Sequence, residues 1–254
     1  MTRFVILTTQ RSGSVMLIQS LSSHPDIVCF GEIFLHGARY GRNMSVPPGR
    51  ENFLYEEFIR VTSLRRLRSI IAPRGCAAEF LETFFRRQDD KPAAGFKLMY
   101  SQVRGHPGAW DWVLDRDVRI IHLVREDLLR VVLSRRMRTK TGVAHSADQV
   151  AATSFRIDPA ELLRQLDARA RNLARFRELL EGREDTIEVG YERLLADERG
   201  EFGRLLDFIG VPKDLELQSG VTKQKVRPLR EIIRNYDEVL AAIRGTSHFR
   251  FFEE

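Results

Sequence analysis

The stretch RFVILTTQRSGSVML, Arg3 to Leu17, constrains the fold more than any other part of the chain. Phe4 to Leu7 is an unbroken apolar run of strand length, the pattern of a strand covered on both faces. From Ser14 to Ser23 the apolar residues Val15, Leu17, Ile18 and Leu21 recur at helical spacing. Only a short polar turn with one glycine separates the two. A buried strand that passes through a tight turn into a helix is the building block of a parallel sheet flanked by helices. It is also an anion site. The free N–H groups at the helix start face the turn, and the helix dipole adds about half a positive charge there. Arg11 supplies a permanent charge on a planar fork of donors. Ser12 and Ser14 supply hydroxyls, and Gly13 lets the backbone come close to a ligand. The turn is not a Walker A loop, which needs a second glycine and a lysine before its Ser/Thr.

The same alternation continues along the chain. Ile27 to Phe30, Ala94 to Tyr100, Val118 to Val124 and Thr186 to Val189 read as strands. Glu51 to Ile71, Cys76 to Arg87, Glu126 to Thr139, Glu198 to Ile209 and Glu231 to Arg244 read as helices. Asp158-Pro159-Ala160-Glu161 opens a further long helix with an N-cap, a first-position proline and an acidic third position, and Gly182 ends it. Strands alternating with helices predict an α/β fold: a P-loop-like three-layer sandwich with a central parallel sheet, in one domain spanning residues 1–254. No apolar run reaches the ~18 residues of a membrane span. The N-terminus lacks the pattern of a signal peptide. Cys29 and Cys76 are expected as buried free thiols, and the protein as cytoplasmic. Six histidines and two cysteines without paired spacing predict no metal site.

The net charge is +6, and basic residues cluster at Arg65-Arg66 with Arg68, at Arg86-Arg87 and from Arg135 to Lys140. The balance favours an anionic partner. The third cluster follows the segment IIHLVREDLLRVVLSRRM, in which a strand delivers Arg125 to its carboxyl end and Ser134 lies nine residues on, in a helix. Carboxyl ends of parallel strands are where ligands bind in such sheets. No aspartate ends this strand to hold Mg²⁺, so a nucleotide kinase with an altered phosphate loop is the poorer reading. A basic nucleic-acid-binding protein is another reading, but neither a recognition-helix motif nor aromatic–basic interleaving is present.

TTQRSGS followed by HLVREDLLRVVLS resembles the 3′-phosphoadenosine 5′-phosphosulfate (PAPS) dependent sulfotransferases, and most of all the bacterial carbohydrate branch that includes trehalose and nodulation-factor sulfotransferases. GFKLMY at Gly95, VGYERLLAD at Val189 and KQKVRPLREIIRNYDEV near the C-terminus are similar to segments of that branch. Gly37 to Phe85 matches none of it. The resemblance implies that Arg11, Ser12, Gly13 and Ser14 bind the 5′-phosphosulfate and that Arg125 and Ser134 bind the 3′-phosphate. It places Lys223 or Lys225 on a loop closing over the cofactor. Animal cytosolic members carry lysine where Arg11 stands, use a shorter spacing from arginine to serine, and have a histidine base that finds no counterpart here.

Sulfuryl transfer to an alcohol requires that the acceptor oxygen lose its proton and that the departing phosphate be stabilised, as in phosphoryl transfer. Arg11 and the helix start would supply positive potential at the leaving oxygen. The resemblance makes Glu32, in CFGEIF, the base; burial that raised its pKa would suit that task. His36, His106 and His145 are the alternatives. Lys97, expected at a strand end, is a candidate for contact with sulfate or acceptor. The acceptor is expected to be a carbohydrate or glycolipid hydroxyl, met by the loops Gly37–Arg50 and Lys140–Ser146. Trp110, Trp112, Tyr40 and Phe53 are available to stack on a sugar or to fill the core. No nucleic-acid partner and no membrane span are expected. The oligomeric state stays open, a homodimer included.

Overall fold

A computed structural model describes residues 1–35, 46–141, 154–213, 217 and 227–253. In chain order the strands are β1 (Thr2–Thr8), β2 (Ile27–Glu32), β3 (Ala93–Met99), β4 (Val118–Val124) and β5 (Thr186–Gly190). The helices are α1 (Ser14–Ser22), α2 (Tyr55–Arg60), α3 (Ser63–Ile71), α4 (Pro73–Arg86), α5 (Tyr100–Gly105), α6 (Pro107–Asp115), α7 (Leu128–Thr141), α8 (Pro159–Leu180), α9 (Tyr191–Ala196), α10 (Glu198–Ile209), α11 (Leu229–Ile232) and α12 (Tyr236–Ile243). They form two compact units, Met1–Val124 with Gly182–Val221, and Arg125–Glu181 with Thr222–Glu254.

The first unit holds one five-stranded sheet in the order β2-β3-β1-β4-β5, with every pairing parallel. β1 lies at its centre and matches Thr8 with Met99 on one side and with Leu123 on the other. Alternation along the strands gives each face its own core. Phe4, Ile6, Ile27, Cys29, Ile121, Leu123 and Val189 pack against Leu17, Ile18 and Leu21 of α1 and Phe202, Leu205 and Ile209 of α10. On the opposite face Phe30 and Phe96 meet Phe84 of α4 edge-on, with centroids 5.1 and 5.6 Å apart, and Phe85 stacks on Trp112 of α6. Helices therefore cover both faces. This is the three-layer α/β fold with a central parallel sheet expected from the sequence.

The second unit is helical. Leu129, Val132 and Leu133 of α7 pack with Leu162 and Leu166 of α8, and with Ile232, Ile233, Val239 and Ile243 from the C-terminal segment. α8 begins as its sequence predicts: the Asp158 Oδ1 accepts the Ala160 N–H at 2.9 Å, and Pro159 takes the first position. Gly182, at φ +73°, follows its end.

Three boundaries differ from expectation. The helix expected over Glu51–Ile71 is two helices, because the Thr62 hydroxyl accepts the Arg65 N–H at 3.1 Å and starts α3 afresh. The helix expected over Glu231–Arg244 is broken at Ile233. There the chain pairs with Phe155: the Phe155 N–H donates to the Ile232 carbonyl and the Arg234 N–H to the Phe155 carbonyl, each at 3.0 Å. β2 continues past Gly31 to Glu32.

Candidate functional site

The turn after β1 is braced from inside. Thr8 Oγ1 lies 2.7 Å from the Leu123 carbonyl and 2.6 Å from Ser12 Oγ, which is 2.9 Å from the Thr9 carbonyl. Thr8 and Ser12 are fully buried. The Ser12 hydroxyl is thus turned into the loop and its inner contacts, and Ser14 is also buried. Arg11 is half-buried and adopts φ +66°, the one non-glycine residue with positive φ among those described. That conformation costs an L-residue of order 1 kcal/mol, and strain of this kind gathers at binding sites.

Gly13 is the N-cap of α1, at φ +86°. Having no side chain, it leaves the first N–H groups of α1 uncapped and facing the turn. The helix's first internal bond runs from the Leu17 N–H to the Gly13 carbonyl at 3.3 Å. Positive φ is one reason for glycine here. The other is Tyr191, the first residue of α9, whose ring occupies the space that a Cβ at Gly13 would need. The turn therefore combines a half-buried arginine with an open helix start, a donor set that fits a phosphate or sulfate oxyanion.

Glu32 and Lys97 form the second element. A register shift between Phe30 and Glu32 in the pairing of β2 with β3 sets Glu32 opposite Lys97. Such a bulge re-aims a side chain. The Lys97 Nζ sits 3.0 Å from Glu32 Oε1. Gln102 Nε2 of α5 donates to Glu32 Oε2 at 3.1 Å, while Gln102 Oε1 accepts the Met99 N–H at 2.9 Å. Glu32 ends a strand instead of tipping a loop, and Lys97 lies two residues inside β3 instead of at its end. The nearby Cys29 thiol is pushed well above its ordinary range by burial, with the Lys97 charge acting the other way.

On the opposite face of the sheet the Tyr100 hydroxyl lies 2.6 Å from His122 Nε2, and His122 Nδ1 lies 3.2 Å from Glu188 Oε2. The buried His122 ring thus meets a phenol at one nitrogen and a carboxylate at the other.

In the second unit Arg125 stands directly after β4, half-buried, and the Asp127 Oδ1 accepts the Arg130 N–H at 2.8 Å to start α7. Arg130 Nη1 donates to the Arg227 carbonyl at 2.5 Å. Ser134 is half-buried on α7. Lys223, Lys225, His36, His145 and Tyr40 lie outside the described residues. His106 packs against the rings of Phe34 and Tyr55, at 4.9 and 5.2 Å. Trp110 and Trp112 are core, the latter donating to Glu82 at 3.1 Å. Phe53 stacks on Phe80. Among the described residues no cluster of His, Cys, Asp and Glu could hold a metal ion. No helix among them is long and apolar enough to cross a membrane.

Compared with known families, residues 3–215 match the model described as "Sulfotransferase family". The chain belongs to the sulfotransferase family. The match takes in the turn, Glu32, Lys97, Arg125 and Ser134 of this sulfotransferase. Similar solved structures include a sulfotransferase from Alicyclobacillus acidocaldarius, with 16% identity, 96% of this chain and 93% of that one covered, and a TM-score of 0.47. The sulfotransferase domain of the Synechococcus PCC 7002 olefin synthase has 19% identity, covers 83% and 74%, and scores 0.45. A mouse sulfotransferase complexed with PAP has 10% identity, covers 99% and 87%, and scores 0.41. No curated protein sequence matches the chain.

Gln102, Thr8 and Tyr191 were not foreseen in the site. Thr8 and Tyr191 lie in segments singled out in the sequence, but their work is to brace the turn, which no motif expresses. Gln102 sits on a six-residue helix, too short for a period to register.

Proposed function

We propose that this sulfotransferase transfers a sulfuryl group from PAPS to a hydroxyl of a carbohydrate or glycolipid acceptor, with Glu32 as general base. The observation that carries the reading is the Glu32 carboxylate, held on one oxygen by Lys97 at 3.0 Å and on the other by Gln102 at 3.1 Å. A carboxylate has about four lone-pair directions, so each oxygen keeps room to accept an alcohol proton. Its two anchors fix its direction before substrate arrives, which favours proton transfer from a positioned hydroxyl.

The fit of the cosubstrate rests on the donor set of the turn. Arg11, the open N–H groups beside Gly13, and Ser14 would hold the 5′-phosphosulfate; the buried Ser12 hydroxyl would hold the turn in shape. Arg125 and Ser134 would take the 3′-phosphate, and Lys223 or Lys225 would close over the nucleotide. When bound, PAPS supplies an activated sulfuryl group and a phosphate leaving group. Arg11 and the α1 start stabilise charge at the leaving oxygen. Lys97, with one ammonium hydrogen engaged by Glu32, has two more to offer an anionic or hydroxyl oxygen. No metal enters the scheme.

The test is calorimetric titration with PAP, with adenosine 5′-phosphosulfate and with ATP plus Mg²⁺, on the wild type and on Arg11→Ala, Arg125→Ala and Glu32→Gln. The expected result is metal-independent PAP binding, weaker without the 3′-phosphate and lowered at least about tenfold by either arginine substitution. Glu32→Gln should bind PAP as the wild type does and lose about 10²-fold or more in turnover on an acceptor. Binding of ATP with Mg²⁺ in place of PAP would sink the reading. Full turnover by Glu32→Gln would remove Glu32 as the base.

A further inference from the structure

The basic cluster Arg65-Arg66-Arg68 is not taken up by the site. It lies on α3, a helix built inside out. Among the described residues seven large apolar side chains stand exposed, and five of them are Val61, Leu64, Leu67, Ile70 and Ile71, between 53% and 72% exposed. α3 itself buries none of its residues. At about 100° per residue, Leu64, Leu67, Ile70 and Ile71 fall within an arc of about 120°. Arg66 and Arg68 border that arc on its two sides. The helix is held to the body by its polar face: Arg65 lies 4.2 Å over the Phe58 ring of α2 and 3.3 Å from Glu79 of α4, and Arg68 is 2.8 Å from Glu79. The apolar arc is left facing outward.

We propose that this face of α3 is a docking surface for an anionic lipid bilayer. The charge carried by the segment itself is of one sign. From Arg60 to Gly75 the chain carries Arg60, Arg65, Arg66, Arg68 and Arg74 and no aspartate or glutamate. The side chains of Arg60 and Arg74 are 68% and 75% exposed even though each contacts a carboxylate from outside that stretch. Arginine stems lie along an apolar boundary while their heads reach phosphate oxygens. An aliphatic arc bordered by arginines on a helix lying flat on its support is the pattern of an interfacial helix.

Two other occupants fit less well. A second copy seated across a two-fold axis would set Arg66 and Arg68 of one chain against the same residues of the other, like charge against like. A protein partner would be expected to meet the aromatic anchors that dominate such interfaces, and this arc has only leucine and isoleucine. The inference is independent of the acceptor and of the base.

The experiment is co-sedimentation of the full chain with vesicles of phosphatidylcholine, with and without phosphatidylglycerol, at low and high salt. Binding is expected only where phosphatidylglycerol is present, weakening as salt rises. Leu67→Glu with Ile71→Glu should lower the partition coefficient at least about tenfold. Leu67→Ser with Ile71→Ser gives a second variant with no new charge, expected to fall between the two. Both sites are solvent-facing, so melting temperature and PAP titration should match the wild type. The proposal is overturned if the phosphatidylglycerol vesicles are not bound, if binding is insensitive to salt, or if the variants bind unchanged. It is also overturned if light scattering finds a dimer that these substitutions dissolve without vesicle binding in the wild type.

Discussion

The Lys97 ammonium and the Glu32 carboxylate face each other at 3.0 Å on adjacent strands, with side-chain exposures of only 7% and 14%. Both charges have given up most of their water, and each depends on the other for compensation. The β2 bulge makes the pair possible. In an unbroken register the two side chains would not oppose one another.

Removing one partner should therefore cost more than removing both. Lys97→Met leaves the carboxylate with Gln102 alone, and breaking a buried pair typically costs about 3–5 kcal/mol. We expect a loss near the lower end, because Glu32 keeps some contact with solvent. The double variant Lys97→Met with Glu32→Gln should be more stable than Lys97→Met alone. Urea unfolding of the four proteins in a double-mutant cycle measures this, and simple additivity would refute the coupling.

Gly13 answers to two demands at once, and they can be separated. Gly13→Ala should lose about 1 kcal/mol for its backbone at φ +86° and more for its collision with the Tyr191 ring. Gly13→Ala with Tyr191→Ala should keep the first loss and shed the second, measured against Tyr191→Ala by thermal unfolding. Equal losses in both backgrounds would mean that the ring does not constrain the turn.

The inner strands of the sheet were legible as short, largely apolar runs bounded by polar residues, the pattern of strands covered on both faces, whereas β5, with Thr186 and Glu188 half-buried, shows that pattern only weakly. α8 was legible to the residue at its start, since Asp158 and Pro159 carry the cap chemistry in their own side chains. Glu32 was singled out in the sequence, but its setting was misread. Its strand ends two residues later than expected, and the bulge that turns it toward Lys97 leaves no mark in the sequence. α5 and α9 escaped notice because a six-residue helix has fewer than two turns in which to repeat. The pairing of Phe155 with Ile233 joins residues far apart in the chain, so the break in the C-terminal helix is a tertiary effect that local propensity does not record.

The chain from Tyr100 through His122 to Glu188 should make a measurable contribution to stability. Tyr100→Phe removes the hydroxyl that meets the buried His122 ring at Nε2. Losing one partner of a buried hydrogen bond costs about 1–3 kcal/mol. Chemical denaturation should find a loss in that range. PAP titration should not change, because the chain lies on the sheet face opposite α1. A drop in PAP affinity would instead tie the phenol to the nucleotide.

Cys29 gives the stability a pH dependence of known sign. Burial raises its thiol far above the ordinary value of 9.0, so above that pH the unfolded chain releases a proton that the folded chain retains. The contribution is intact below about pH 8 and lost progressively as pH climbs toward the raised folded-state value. Between about pH 8 and 10 one such group should remove about 1.4 kcal/mol of unfolding free energy. Tyr55, also raised by burial and by its bond to Cys76, adds to the decline only from about pH 10 upward. Cys29→Ala should start from lower stability, because it opens a small cavity, and should decline less over the same interval. Urea unfolding at the two pH values measures the difference. The wild-type thiol should also resist alkylation at about pH 8 until urea unfolds the chain. Rapid labelling of Cys29 in the folded protein would mean that α1 opens locally and that the thiol titrates from an exposed state.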